Sequence, residues 1–247
     1  MHRFYAPAAR PGDVAATLSP DESAHLVRVL RLDEGDRVAV FNGCGEEWHG
    51  RIQSATPAQV LVALEVPAVP VPEARVAITL VQAVLKGERM DDVVRDAVML
   101  GVTRVQPVLT TRTETSRAAL LRGGRPERWR RIVLSSTKQC RRATLAEVCE
   151  PMALETWLTT AREPLRLFCA EPGASPDTVP VQQLTAMPRP GEAALVVGPE
   201  GGWTAEECAC AAQSGARLVS FGARVLRADA LPLTALSILQ FLWDGPW

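Results

Sequence analysis

Residues 195–236, LVVGPEGGWTAEECACAAQSGARLVSFGARVLRADALPLTAL, decide how the chain reads. The apolar run at 193–197 has β-branched residues and no polar alternation, the pattern of a buried strand. It stops at Gly198-Pro199-Glu200-Gly201-Gly202, where three glycines in five residues let the backbone turn sharply and approach a ligand closely. Thr204 and Glu207 form a T-x-x-E capping box that starts a helix, and Gly215 is placed to end it. A second strand at 217–221 runs into Gly222-Ala223-Arg224-Val225-Leu226-Arg227. Asp229 stands where it can cap a last helix carrying Leu233, Leu236, Ile238, Leu239 and Leu242. Two strands thus end in glycine loops at the carboxyl side of one expected parallel sheet, where open α/β sheets bind ligands. GPEGG is neither GxGxxG nor a P-loop, so a dinucleotide or ATP reading has no motif behind it.

The rest of the chain bounds the possibilities. No apolar run reaches the roughly 18 residues that span a bilayer, and the opening MHRFYAPAARPGD lacks a signal-peptide core. A cytoplasmic location without membrane attachment is the expectation. The six cysteines (44, 140, 149, 169, 208, 210) contain no CxxC pair and only three histidines accompany them. Free thiols in a reducing compartment and no metal site follow. Net charge is −1, yet residues 112–142 hold ten Arg or Lys against two Glu. A basic surface on a near-neutral protein is the pattern expected where phosphates are met.

Residues 1–70 read as a small, mostly β module. Ser19-Pro20-Asp21-Glu22 has the form of a second capping box, opening a helix through Leu30 that sets His25, Arg28 and Arg31 beside apolar Leu26, Val29 and Leu30. Strand-like runs follow at 37–41, 47–53 and 59–66, separated by turn residues, a spacing that suggests a barrel. Three prolines within 67–73 make that stretch a linker. From Val76 the pattern turns α/β, and the second domain occupies 73–247. It has a strand at 76–85, a helix at 89–100 stopped by Gly101, a strand at 102–108, and a basic helix at 127–140 whose Trp129, Ile132 and Val133 face the core. A helix near 154–161, a strand at 165–170 and a proline-rich stretch of loops complete it.

VVGPEGGWTAEE followed by FGARVLRADALPLTAL resembles the small-subunit ribosomal RNA methyltransferase E family of the SPOUT superfamily. HLVRVLRLDEGD and KGERMDDVVRDAVMLGV match that family's barrel and helix motifs, so the likeness covers both domains. The chain departs from it at Arg95, Asp96 and Met99, at Lys138 where an acid is common, and at Ala228-Asp229-Ala230, where the family commonly has Thr-Glu-Thr. The resemblance implies a PUA-like RNA-binding β-barrel, then a SPOUT-type α/β domain with a C-terminal trefoil knot around S-adenosylmethionine (SAM). It also implies a homodimer that methylates N3 of one uridine in 16S rRNA of the small ribosomal subunit. A ribose 2′-O-methyltransferase of the same superfamily and a non-catalytic rRNA-binding assembly factor are the alternatives.

On that reading the SAM-binding candidates are Leu195, Val197, Gly198, Pro199, Gly201, Gly202, Phe221, Gly222, Val225, Leu226 and Leu231. Uridine N3 carries a proton that must leave, so the reaction needs alignment and help with that proton. Arg227 is the polar candidate, either stabilising the uridine anion or holding a phosphate or carboxylate. Glu200 can accept the proton or brace its own turn; Asp229 can do the same or cap its helix. Arg28, Arg31, Lys86, Arg112, Gln139 and Arg142 are the RNA-contact candidates.

Overall fold

The computed structural model describes residues 1–244. It divides into a unit of Met1–Glu73 with Thr137–Leu145, and a second of Ala74–Ser136 with the residues from Ala146 onward. The first unit contains β1 (His2–Tyr5), β2 (Ala15–Thr17), α1 (Pro20–Ala24), a π-helical turn (His25–Leu30), β3 (Arg37–Phe41), β4 (Glu47–Ala55) and β5 (Val60–Ala68). Its five-stranded sheet has the order β1-β3-β4-β5-β2, with β1 parallel to β3 and the other pairs antiparallel. Strands β1 and β2 are too short for an alternation signal. The inward residues Phe4, Ala16, Val38, Val40, Trp48, Ile52, Val60 and Val62 pack with Leu26 into one core.

Three details differ from the sequence reading. The turn at His25–Leu30 is π-helical, so the 3.6-residue spacing fails there: Leu26 is fully buried but Val29 is 65% exposed. Only half of the Ser19 capping box forms. Ser19 Oγ accepts the Glu22 amide at 3.3 Å, but the Glu22 carboxylate is occupied by Lys138 Nζ at 2.8 and 2.9 Å and by the Tyr5 amide. Finally, residues 137–145 belong with the first unit, though they lie far along the chain. Arg3 helps hold them: it pairs with Glu47 at 2.8 Å and donates to the carbonyls of Thr137, Lys138 and Arg142 at 2.9–3.1 Å.

The second unit runs through β6 (Ala77–Ala83), α2 (Arg89–Met99), β7 (Arg104–Leu109), α3 (Arg117–Arg122), α4 (Arg125–Cys140), β8 (Glu147–Val148) and β9 (Met152–Ala153). It continues with α5 (Leu154–Thr160), β10 (Leu165–Cys169), β11 (Val179–Pro180), a 3-10 turn, β12 (Glu192–Val197), α6 (Ala205–Gln213), β13 (Arg217–Ser220) and α7 (Ala230–Asp244). Among the described residues the sheet is wholly parallel, in the order β11-β13-β10-β12-β6-β7-β8, with β9 also on β7. Such a sheet must be covered on both faces, which is why its strands read as continuous apolar runs. On one face Val81, Phe168, Ala194 and Val196 meet Trp157, Leu158 and Ala211 from α5 and α6. Elsewhere α7 packs on α2, tied by Gln240 donating to the Leu100 carbonyl. Trp129 and Val133 of α4 are buried as expected, and Trp129 Nε1 donates to buried Asp91 at 3.1 Å. The Thr204–Glu207 capping box is complete, at 2.8 and 3.1 Å. No helix among the described residues is long and apolar enough to cross a membrane.

Candidate active site

Strands β13, β10 and β12 are neighbours in the sheet, so their carboxyl ends open onto one crevice. A cleft of about 460 Å³ lies there, lined from Cys169–Pro172 after β10, from Val197–Glu200 with Gly202 and Trp203 after β12, and from Phe221 and Arg224–Asp229 after β13. Leu231 of α7 and Arg89 of α2 complete the wall. Volumes of roughly 300–1,000 Å³ are usual for small-molecule sites.

The loop after β12 is shaped by its glycines. A Cβ on Gly198 would stand 3.0 Å from the Trp203 ring, whose Nε1 donates to the Cys169 carbonyl at 2.7 Å. Gly202 has φ +68°, which side chains other than glycine rarely adopt. Arg112 lies across Gly201, its Nη1 donating to the Gly201 carbonyl at 2.6 Å. Glu200 Oε1 accepts the Lys86 amide and Arg89 Nη1, both at 3.1 Å. Glu207 also accepts the Thr111 amide at 2.8 Å. The loop is therefore held from both flanks by the turns after β6 and β7. At the cleft's opposite lip, Arg227 is 70% exposed and forks onto Asp229, Nε to Oδ1 at 3.2 Å and Nη2 to Oδ2 at 3.3 Å. Burial raises the pKa of the Cys169 thiol, so that part of the wall is uncharged.

A family model described as an RNA methyltransferase domain matches residues 72–240, and one described as an RNA methyltransferase PUA domain matches 18–65. Ribosomal RNA small subunit methyltransferase E of Synechocystis is 32% identical over 94% of this chain and 75% of its own length. The chain belongs to the ribosomal RNA small subunit methyltransferase E family. A Legionella pneumophila methyltransferase solved with bound SAM superposes with a TM-score of 0.87 at 30% identity, covering 96% of each chain. The Neisseria gonorrhoeae family member bound to SAM gives 0.87 at 27% identity over 98% of each.

Within this family member, Val197, Gly198, Pro199, Gly202, Phe221, Val225, Leu226 and Leu231 line the cleft with Glu200, Arg227 and Asp229. Three expected SAM contacts do not. Leu195 is fully buried inside β12, two residues short of the crevice. Gly201 is turned to Arg112. Gly222 shapes its bend, at φ +117°, without lining the hollow. Sequence reasoning missed Cys169–Pro172 and Trp203; the strand at 165–170 followed by Glu171-Pro172-Gly173 was the available signal for a third strand-end loop. Glu200 Oε1 braces the loop by accepting Arg89 Nη1 and the Lys86 amide, while the residue also lines the cleft.

Half of the ten cations in the basic stretch are paired with acids. Arg125 and Arg128 lie against Asp91 at 3.8 and 2.7 Å, Arg130 pairs with Glu127 and Glu150, and Lys138 with Glu22. Arg117 donates to the Pro151 carbonyl. Arg142 is the clearest correction: its guanidinium is 5% exposed and pairs with Glu73 at 2.6 Å, so it serves the first unit and not a phosphate. Arg28, Arg31 and Gln139 are exposed in the first unit, and Lys86 and Arg112 in the second. Arg142→Ala should cost roughly 2 kcal/mol, below the ~3–5 of a fully buried pair because the Glu73 carboxylate is partly solvated. The salt dependence of RNA binding should not change. Thermal unfolding and a salt titration of binding check the two halves; a flatter salt slope would return Arg142 to the RNA surface. Among the described residues no group of three or more His, Cys, Asp or Glu gathers as a metal site.

Proposed function

We propose that this chain is a cytoplasmic SAM-dependent methyltransferase that acts as a homodimer on N3 of one uridine in the 16S rRNA of the small ribosomal subunit. The observation that carries it is the cleft where three adjacent parallel strands end, walled by the glycine loops that the family motifs predict. SAM suits this cleft in kind. Backbone of Gly198, Gly202 and the 224–226 stretch borders the cleft where its polar edges would lie, the Gly202 amide already donating to the Pro199 carbonyl and the Gly198 carbonyl accepting Gln82 Nε2, and Val197, Leu226 and Leu231 offer apolar walls. When bound, SAM supplies an activated sulfonium methyl.

The chain's own residues supply the rest. Arg227, forked onto Asp229, can face O2 or O4 of the uracil and stabilise the negative charge left as the N3 proton departs. Asp229 thus orients Arg227. Glu200, Arg89 and Arg112 keep the cofactor loop rigid, so alignment is established before the base arrives. Exposed Arg28, Arg31 and Gln139 position RNA backbone, as phosphate contacts generally do. The homodimer is supported by Leu233, Ser237 and Phe241, which recur on the exposed side of α7, with Phe241 77% exposed. The trefoil-knotted path is supported by the crossovers that place β10 between β12 and β13 and by the return of α7 onto α2.

The experiment is product analysis. Small-subunit rRNA is treated with the protein and SAM, digested to nucleosides and separated. A base-methylated 3-methyluridine is expected. A ribose-methylated nucleoside would move the protein to the 2′-O class, and RNA binding without any product would make it an assembly factor.

A further inference from the structure

The turn at residues 86–89 borders two cavities. Arg89 lines the cofactor cleft, while Lys86 and Gly87 line a second cavity of about 400 Å³. The second has an apolar base of Val84, Leu85 and Leu120, each at most 4% exposed, and the exposed Ala119 of α3 beside it. Charged groups border it: Lys86 Nζ meets Glu114 Oε1 at 2.6 Å, and Arg125 donates to the Gly87 carbonyl. Lys86 and Glu114 are both more than half exposed, and such a surface ion pair contributes little and exchanges readily. Glu200 connects the two cavities, accepting the Lys86 amide on one side and Arg89 on the other.

Resting on the RNA methyltransferase reading, we propose that this second cavity holds one nucleotide of the substrate strand next to the target uridine. Its base lies against Leu85, Ala119 and Leu120, and Lys86 exchanges Glu114 for its phosphate. The chemistry favours RNA over an unrelated small molecule. A stacked, paired uridine hides N3, so the target must be extruded and its neighbours lose stacking. An apolar cavity beside a mobile cation, one turn from the cofactor loop, offers such a neighbour a replacement surface and a phosphate partner.

The test uses the full-length protein with an rRNA fragment carrying 4-thiouridine beside the methylated uridine. Irradiation should crosslink one neighbour to the peptide at 84–87 or that at 119–125. Ala119→Trp, a change on an exposed helix position, should fill the cavity. It should raise KM for RNA roughly tenfold, the scale expected when one nucleotide's apolar contact and phosphate partner are lost. SAM affinity and kcat should stay within about twofold. With methylation by the wild type intact, either an absent crosslink at these peptides or an unchanged KM overturns the proposal. A wild type that methylates no RNA overturns the functional reading itself, and the subsite with it.

Discussion

Arg227→Ala is expected to lower kcat by roughly 10²–10³-fold while SAM affinity stays within about twofold. The guanidinium forks onto Asp229 at 3.2 and 3.3 Å in the loop after β13, just before α7. Its exposure leaves its outer face available to substrate. As the N3 proton leaves, negative charge spreads onto the uracil carbonyl oxygens, and a positioned guanidinium is worth more to that anion than to the neutral base. The interaction therefore grows along the reaction coordinate and appears in kcat. Arg227→Lys keeps the charge but loses the planar fork, so its rate should fall between the two. Asp229→Asn should give a smaller loss, acting through the orientation of Arg227. Single-turnover methylation with saturating RNA, beside calorimetry for SAM, measures both quantities; unchanged turnover in Arg227→Ala would remove this residue from the chemistry.

Gly50→Ala should destabilise the first unit by roughly 3 kcal/mol, the upper part of the usual range for overpacking. A Cβ at Gly50 would stand 2.1 Å from the Ala63 carbonyl oxygen in the neighbouring strand. The obstacle is backbone, so no rotamer relieves it and β4 must move away from β5. The register already shifts between His49 and Gly50, where the two strands approach unevenly. A fall in melting temperature of roughly 6–12 °C is expected for a chain of this size. Hydrogen exchange should place the loosening in β4 and β5. A variant as stable as the parent would mean that the strands part at little cost.

The second unit was legible where its signals were local. A buried parallel strand announces itself as an uninterrupted apolar run, and 193–197 became β12 almost residue for residue. The Thr204–Glu207 box needs only four residues to form, and it did. The Ser19 box forms only by half because Lys138, more than a hundred positions away, claims the Glu22 carboxylate. Arg142 was misread for the same reason: composition counts charges but does not say where their partners are, and Glu73 lies in what read as a linker. The glycine loops located the cleft, yet its third wall at Cys169–Pro172 depends on β10 lying between β12 and β13. The strand and turn at 165–173 signal a loop, but strand order is a property of the folded sheet, so they do not say that this loop joins the other two.

Calorimetric titration of the full-length protein with SAM tests the central claim most directly, together with Leu226→Trp, which places an indole ring in the cleft from a half-buried loop position. The account predicts saturable binding of one SAM per chain by the wild type and its loss in the variant. A wild type that gives no binding heat, or a Leu226→Trp variant that binds as tightly as the parent, would contradict it.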